Sequence, residues 1–284
     1  MFDTHCHLNF DAFKNKIDEV LIQAKTSGVD YILIPGTDIV SSRKAVEIAG
    51  EHEGVYAAVG IHPHHIYEFQ ISNFKFQINL EELEQSLKND RVVAVGEVGI
   101  DRHSYGKTKY SDYEVDEKFI DLQKELFKKQ LDLAIKYDKS LIIHNREAKE
   151  DVLKILKEKW DPKLEGKTVF HCCEPDGELL KFAVEHKIYI GVDGDITYSK
   201  EKQSFIKKIP LDQLVLETDA PFLLPEPLRT QKKYPNTPSN LLLIGKFIAD
   251  IIKVDFDKLT KITVENSLRL FNLDFNHVKG GIFA

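Results

Sequence analysis

Cysteine is scarce in this chain: three in 284 residues, Cys6, Cys172 and Cys173, two of them adjacent. An odd, sparse set does not make a disulfide framework, so a reducing compartment, the cytoplasm, is the expected location. No apolar run approaches the ~20 residues that cross a bilayer, and no basic region followed by an apolar stretch opens the chain, so neither a membrane span nor a secretory signal is expected. Positive charge is not in excess: 39 Lys and Arg face 46 Asp and Glu, a net charge of −7. That argues against a surface that coats duplex nucleic acid as a whole, while leaving room for a local basic site on an acidic body. No glycine-rich dinucleotide fingerprint follows the first apolar run. No CxxC partner exists for Cys172 and Cys173, which read as structural thiols. There is no low-complexity tract and no clear linker. What the chain has is core: 42% hydrophobic residues, enough at this length for one large α/β domain or two smaller ones.

Short β-rich apolar runs recur along the chain: FDTHC, YILIPG, VYAAVG, VVAVGE, SLIIHN, TVFHCC, IYIGVD and LVLETD. Several are apolar on both faces, as strands covered on both sides are. Helical patterns separate them, at 15–27, 41–52, 79–89, 115–137, 148–159, 177–187 and 200–208, with one or two more from about Ser239 to Leu270. Ser111 and Glu114 have capping-box spacing ahead of the longest. Eight β-then-α units predict an α/β fold, a (β/α)8 TIM barrel forming a single domain over residues 1–284, with C-terminal helices closing the barrel. A doubly wound open sheet is the alternative. Residues 64–78 and 101–114 make the longest connections on the face where barrel enzymes carry function.

The run ends carry the chemistry. In MFDTHCHLNF, strand alternation would place Asp3, His5 and His7 on one side and Cys6 on the helix side. One such histidine pair is equally consistent with hydrogen-bonded strand residues. Yet His62, Glu97, His144, His171, Glu217 and Asp219 also close apolar runs, and in a barrel these ends meet at one mouth. Left unpaired, so many ionisable groups would carry a heavy desolvation and repulsion cost. Divalent cations resolve it. Six ligands, His5, His7, Glu97, His144, His171 and Asp219, suit two ions that share a carboxylate, since one catalytic zinc uses about three protein ligands. Such a pair supports hydrolysis by activated water, with Asp219 also able to take its proton. The residue types admit Mg, Mn or Zn.

In order along nearly the whole chain, FDTHCHL, GIHPH, GEVGID, IIHNREA, FHC, LETDAPFL and NTPSN resemble the TatD-related metal-dependent hydrolases of the amidohydrolase superfamily. The resemblance implies the (β/α)8 barrel, two divalent ions and hydrolysis of DNA phosphodiester bonds. It matches the same six ligands, with Glu97 bridging, and implies that His62 holds or polarises substrate. Many superfamily relatives bridge their metals with a carboxylated lysine; here the fourth run offers Glu97 and no lysine at that end, which disfavours cyclic-amide hydrolysis. There are departures from the family pattern. CCEPDGE follows the sixth run, Asp193 and Asp195 follow the seventh, and LRTQKKYPNTP lacks a usual glycine. They bear on substrate size, strand preference and rate rather than on ligation.

Phosphate recognition calls for positive charge, and single strands gain from aromatic stacking. The loop DRHSYGKTKYSDY offers Arg102, His103, Lys107 and Lys109 among Tyr105, Tyr110 and Tyr113; LRTQKKY offers Arg229, Lys232, Lys233 and Tyr234. Arg102, Arg229, Lys232 and Lys233 are the candidate phosphate contacts. Asp219, His62 and Glu217 are the candidate catalytic residues, Glu217 alternatively orienting the metal ligands. The expected function is a metal-dependent nuclease acting on DNA, single-stranded or at ends, with RNA also open and no obligate protein partner. Hydrolysis of another ester or amide, such as an aminoacyl ester on tRNA, is the enzymatic alternative. A non-catalytic metal-bound scaffold that binds nucleic acid or a partner is the other. His64 and His65 read as loop residues, His52, His186 and His277 have no special role, and Trp160 is a packing anchor.

Overall fold

The computed structural model of the chain describes residues 1–67, 80–106, 108, 110 and 113–274. Eight strands, β1 Phe2–Asp3, β2 Tyr31–Pro35, β3 Val55–Val59, β4 Val92–Asp101, β5 Ser140–Arg146, β6 Thr168–Phe170, β7 Tyr189–Val192 and β8 Leu214–Leu216, pair in sequence order and all in parallel. The sheet closes where the Thr4 N–H donates to the Leu216 carbonyl at 3.1 Å, the Asp219 N–H to the His5 carbonyl at 2.9 Å and the His7 N–H to the Ala220 carbonyl at 2.7 Å. Around it run α1 Ile17–Thr26, α2 Ile39–Glu51, α3 Glu81–Ser86, α4 Glu117–Tyr137, α5 Lys149–Lys159, α6 Gly177–Glu185, α7 Lys200–Phe205, α8 Leu241–Ile252 and α9 Phe256–Leu270. This is the expected (β/α)8 barrel.

Alternation along the strands separates two apolar layers. Ile32, Ile34, Ala57, Val59, Leu141, Ile143, Phe170, Leu214 and Leu216 face the helices. Phe2, Leu33, Ala58, Ala94, Ile142, Val169, Tyr189 and Val215, one from each strand, fill the interior. The end of α9 seals that interior: Val264, Leu268, Leu270 and Phe271 join the inner layer, and the Phe271 and Phe2 rings lie 5.6 Å apart. With that end plugged, the barrel interior opens at the strand C-termini.

Three local expectations need correction. β1 is a two-residue strand rather than a run through Cys6, and the chain bends at Thr4. Phe2, not Asp3, therefore faces the interior, and Asp3 accepts from the Thr218 N–H at 2.9 Å and the Thr218 hydroxyl at 2.6 Å instead of joining the histidines. The longest helix starts at Glu117, capped by Asp116, whose carboxylate accepts from the Phe119 N–H at 2.7 Å; Ser111, the expected cap, lies outside the described residues. The segment 200–208 is α7 followed by a 3-10 turn over Ile206–Lys208.

α4 does more than cover the barrel. Gln123 and Gln130 are two turns apart on its inner face and both fully buried. The Gln130 amide takes the Ile61 N–H at 2.7 Å and donates to the Ile61 carbonyl at 3.0 Å. The Gln123 amide takes the Asp101 N–H at 2.8 Å and donates to the Asp101 carbonyl at 3.1 Å. Each clasp satisfies a pair of backbone groups where a strand ends, next to His62 and at Asp101. An unmade buried hydrogen bond costs roughly 1–3 kcal/mol. Gln130→Leu is therefore expected to lower stability by about 2–4 kcal/mol in urea unfolding; a variant as stable as the parent would contradict the clasp.

Candidate metal centre and cavity

β4 sets the site through two register shifts against its neighbours, one between Ala57 and Ala58 on the β3 side and one between Val95 and Val98 on the β5 side. An extra residue in a strand reverses the alternation beyond it. Val95 and Val98 both face the helices, so the intervening bulge turns Glu97 inward, and Asp101 follows four residues later on the same side. Glycines allow the packing this requires. A Cβ on Gly96 would lie 2.6 Å from the Ile142 Cβ, and one on Gly99, at φ +147°, would lie 1.9 Å from the His144 carbonyl oxygen.

Glu97 stands between two sets of imidazoles. Its Oε2 is 3.4 Å from His5 Nε2 and 3.7 Å from His7 Nε2. Its Oε1 is 2.8 Å from His144 Nδ1, 3.7 Å from His62 Nε2 and 3.8 Å from His171 Nε2. Asp219 Oδ1 lies 3.4 Å from His7 Nε2 and 3.9 Å from both His5 Nε2 and His171 Nε2. All six side chains expected to ligate metal thus converge, with His62 beside them.

The charges respond to one another. Burial would raise Glu97, but the surrounding imidazoles, His62, His5 and His144, outweigh it and hold the carboxylate well below its usual range. Burial and the charge of His171 lower His5; burial and the charge of His144 push His62 well down. Burial opposes charging of His144, yet its bonds to Asp101 and Glu97 prevail and push it up to about 9. His171 is likewise pushed up to about 10, against its burial, chiefly by Glu217. His62 is oriented by accepting the His64 N–H on Nδ1 at 3.1 Å, which in a neutral ring leaves the proton on the Nε2 facing the cavity.

Donor spacing tests whether a cation fits. A four-coordinate divalent ion with bonds of about 2.1 Å has donor atoms about 3.4 Å apart. The His5 and His7 Nε2 atoms are 3.2 Å apart, and their separations from Glu97 Oε2 and Asp219 Oδ1 run from 3.4 to 3.9 Å. The buried Nδ1 atoms of both histidines have no hydrogen-bond partner, and it is Nε2 in each ring that faces the carboxylates. A histidine and carboxylate set of this kind suits a divalent cation. Cys172, Asp193 and Asp195 also cluster, but the Lys202 ammonium already lies 3.3, 3.6 and 2.7 Å from them.

Other site residues fall as follows. Glu217 Oε1 lies 3.0 Å from His171 Nδ1 and accepts the Cys172 N–H at 2.6 Å; it sits behind His171 and does not line the cavity. A Cβ on Gly191 would come within 2.5 Å of its carboxylate. The cavity, about 710 Å³, is walled by His7, His62, His144, His171, Glu97 and Asp219 together with Phe10, Phe222, Tyr105, Arg146, Cys172, Asp195 and Lys202, among others. Cys172 thus differs from Cys173 in facing the cavity. None of the four candidate phosphate contacts lines it. Arg102 pairs with Asp151 at 2.6 Å and Glu117 at 2.8 Å. Arg229 pairs with Glu226 at 3.1 Å and lies over the Tyr198 ring. Lys232 and Lys233 are exposed on the same segment, and Lys107 and Lys109 lie outside the described residues. Sequence reasoning passes over Asp101, which is fully buried, lies 3.0 Å from His144 Nε2 and accepts the Tyr105 hydroxyl at 2.7 Å. Its distance of four residues from Glu97 was the available signal.

A parallel barrel plugged at one end, with imidazoles and carboxylates converging at the other, defines a metal-dependent hydrolase of the barrel type. Comparison with known proteins narrows this. The family model described as TatD related DNase matches residues 2–272. A Bacillus subtilis protein named uncharacterized metal-dependent hydrolase YabD is 33% identical, the match covering 96% of this chain and 100% of that one. The Erwinia tasmaniensis protein named 3'-5' ssDNA/RNA exonuclease TatD is 33% identical, with the same two shares. The crystal structure of YjjV, a TatD homolog from Escherichia coli, superposes with a TM-score of 0.81 at 28% identity over 96% of this chain and 98% of that chain. The chain belongs to the TatD-related DNase family and is a metal-dependent hydrolase. Among the described residues no helix is long and apolar enough to cross a membrane.

Two predictions follow from the charges. The values of His144 and His171 are raised on folding, so in metal-free protein their stabilisation is complete below about pH 6.5 and is lost as pH climbs through about 9 and 10. Chelated protein should therefore unfold at lower urea as pH rises through that window. Metal binding near neutral pH should release protons, read by calorimetry in buffers of different ionisation enthalpy; binding without proton release contradicts it. Secondly, Glu217→Gln should weaken metal affinity by roughly 10–100-fold with the fold intact, since removing the partner that orients a ligand typically does so; equilibrium dialysis measures it.

Proposed function

We propose that this chain is a nuclease that hydrolyses phosphodiester bonds of DNA, on single strands or at strand ends. The observation that carries the reading is the split of Glu97, one carboxylate oxygen toward His5 and His7 and the other toward His144, His62 and His171. Two divalent ions would be held there, one by His5, His7, Glu97 and Asp219 and the other by Glu97, His144 and His171. When bound, such ions activate water and neutralise charge on the attacked and departing oxygens.

The chain's own residues supply the rest. Asp219, at the cavity wall and 14% exposed, is placed to take the proton from the attacking water. His62, kept neutral by its surroundings, offers Nε2–H to a non-bridging phosphate oxygen. Glu217 orients His171 and touches no substrate. Phe10 and Phe222 stand edge to face at 6.1 Å on the cavity wall, with Phe222 45% exposed. They offer faces to an unstacked base, which favours single strands over duplex. The relative named as an exonuclease on single-stranded DNA and RNA supports the same substrate class and makes RNA the neighbouring substrate to test.

Purified protein should cleave single-stranded oligonucleotides faster than duplex, and a chelator should stop it. Asp219→Asn should lower kcat by about 10²–10⁴-fold, the usual contribution of a positioned base. Hydrolysis confined to non-phosphate esters, or to aminoacyl esters of tRNA, would overturn the reading.

A further inference from the structure

We propose that Arg146 binds the substrate phosphate at the mouth of the cavity and that Tyr105 holds it there. This rests on the nuclease reading and adds to it a substrate contact drawn from the strand that carries His144.

The cavity has an electrostatic problem. Five carboxylates line it, Glu97, Glu174, Asp195, Glu201 and Asp219, against two permanently cationic side chains among the described residues, Arg146 and Lys202. A phosphodiester entering such a space needs a cation that is not already committed. Lys202 is committed: its ammonium lies 2.7 Å from Asp195 and 3.6 Å from Asp193, and it is 9% exposed. Arg146 has no carboxylate within ion-pair range among the described residues and stands exposed on the cavity wall.

Its position is built. Arg146 is the last residue of β5, two beyond His144 and so on the same side of the strand. One guanidinium nitrogen, Nη1, donates to the Tyr105 hydroxyl at 3.1 Å, and the guanidinium carbon lies 5.1 Å from the Tyr105 ring centre. The Tyr105 hydroxyl donates in turn to Asp101 Oδ2 at 2.7 Å, which lies 3.0 Å from His144 Nε2. A chain of hydrogen bonds thus fixes the cation relative to the imidazole beside Glu97, while the remaining N–H groups of its fork stay available. A guanidinium fork matches two phosphate oxygens, where an ammonium meets them as a point charge. The contact is made to substrate and transition state alike, so it governs KM more than kcat.

The test uses metal-loaded protein, a fluorescein-labelled single-stranded DNA oligonucleotide for cleavage and its cleavage-resistant phosphorothioate form for binding by anisotropy. Arg146→Gln should raise KM and the phosphorothioate Kd by about 10–100-fold, the range of a lost charge-assisted phosphate contact. Its kcat should stay within about threefold of the parent. The slope of log Kd against log salt should fall by about 0.7, the share of one phosphate on a single strand. Arg146→Lys should recover part of the loss, and Tyr105→Phe should show a smaller rise in Kd. Unchanged Kd and salt slope in Arg146→Gln, with a parent enzyme that cleaves DNA, overturn this proposal alone. So does a fall confined to kcat and metal content, which would mean that Arg146 acts only by supporting Tyr105 and Asp101. A parent protein that neither binds nor cleaves oligonucleotides removes the nuclease reading and this proposal together.

Discussion

The cavity depends on the inward turn of one carboxylate. Val95 faces the helices, so a regular strand would send Glu97 the same way, into an apolar layer where an ionised group costs several kcal/mol unless paired. The bulge between Val95 and Val98 inserts the residue that reverses it. Gly96 makes the reversal sterically possible by leaving room for Ile142, and Gly60 lets β3 approach, since a Cβ there would meet the Gly96 carbonyl carbon at 2.8 Å. Once inside, Glu97 is the group that His5, His7, His62, His144 and His171 all approach. Its charge is sustained by those imidazoles, and it helps in turn to raise His144 and His171, while burial keeps His5 and His62 low.

That mutual dependence explains why the site is built at strand ends and braced from behind. Buried ionisable groups hold together only with their partners in place. The braces are short and polar: Thr218 to Asp3, the Cys172 N–H to Glu217, Gln123 and Gln130 to the backbone at Asp101 and Ile61. Each satisfies a buried group within a residue or two of a side chain that faces the cavity. The apolar layers give the barrel its stability; these bonds give the cavity its geometry.

Much of this could be read in the sequence, for a physical reason. Parallel strands in chain order put all their C-terminal ends on one face, so residues closing apolar runs converge even when a hundred positions apart, as His5, Glu97 and His171 do. What could not be read are features that depend on neighbours across space. The bulge in β4 breaks the alternation on which strand reading relies, and the bend at Thr4 moves Asp3 away from the histidines. Arg102 looks like a phosphate contact in its loop, but Asp151 and Glu117, both distant in sequence, take its guanidinium. Arg146, inside the IIHNREA run, gave no local sign that it would stand on the cavity wall with no carboxylate in ion-pair range among the described residues.

The two acidic departures from the family pattern resolve into one feature. Cys172, from the turn after β6, and Asp193 and Asp195, from the turn after β7, meet around Lys202, at the start of α7. Burial and the charge of Asp193 raise Asp195, so the cluster is held near neutrality by sharing its charges internally. A lysine on the cavity wall would otherwise attract phosphate; here its charge is spent on its own neighbours. Glu174, from the turn after β6, and Glu201, in α7, add carboxylates to the wall, and Glu174 reaches the end of β5, where it accepts from Asn145 Nδ2 at 3.2 Å and the Glu147 N–H at 3.1 Å on either side of Arg146. Of the two permanent cations on this wall among the described residues, the lysine is thus neutralised in place and the Arg146 guanidinium is the one left facing the opening, so the charge the mouth presents is decided by how its carboxylates are paired.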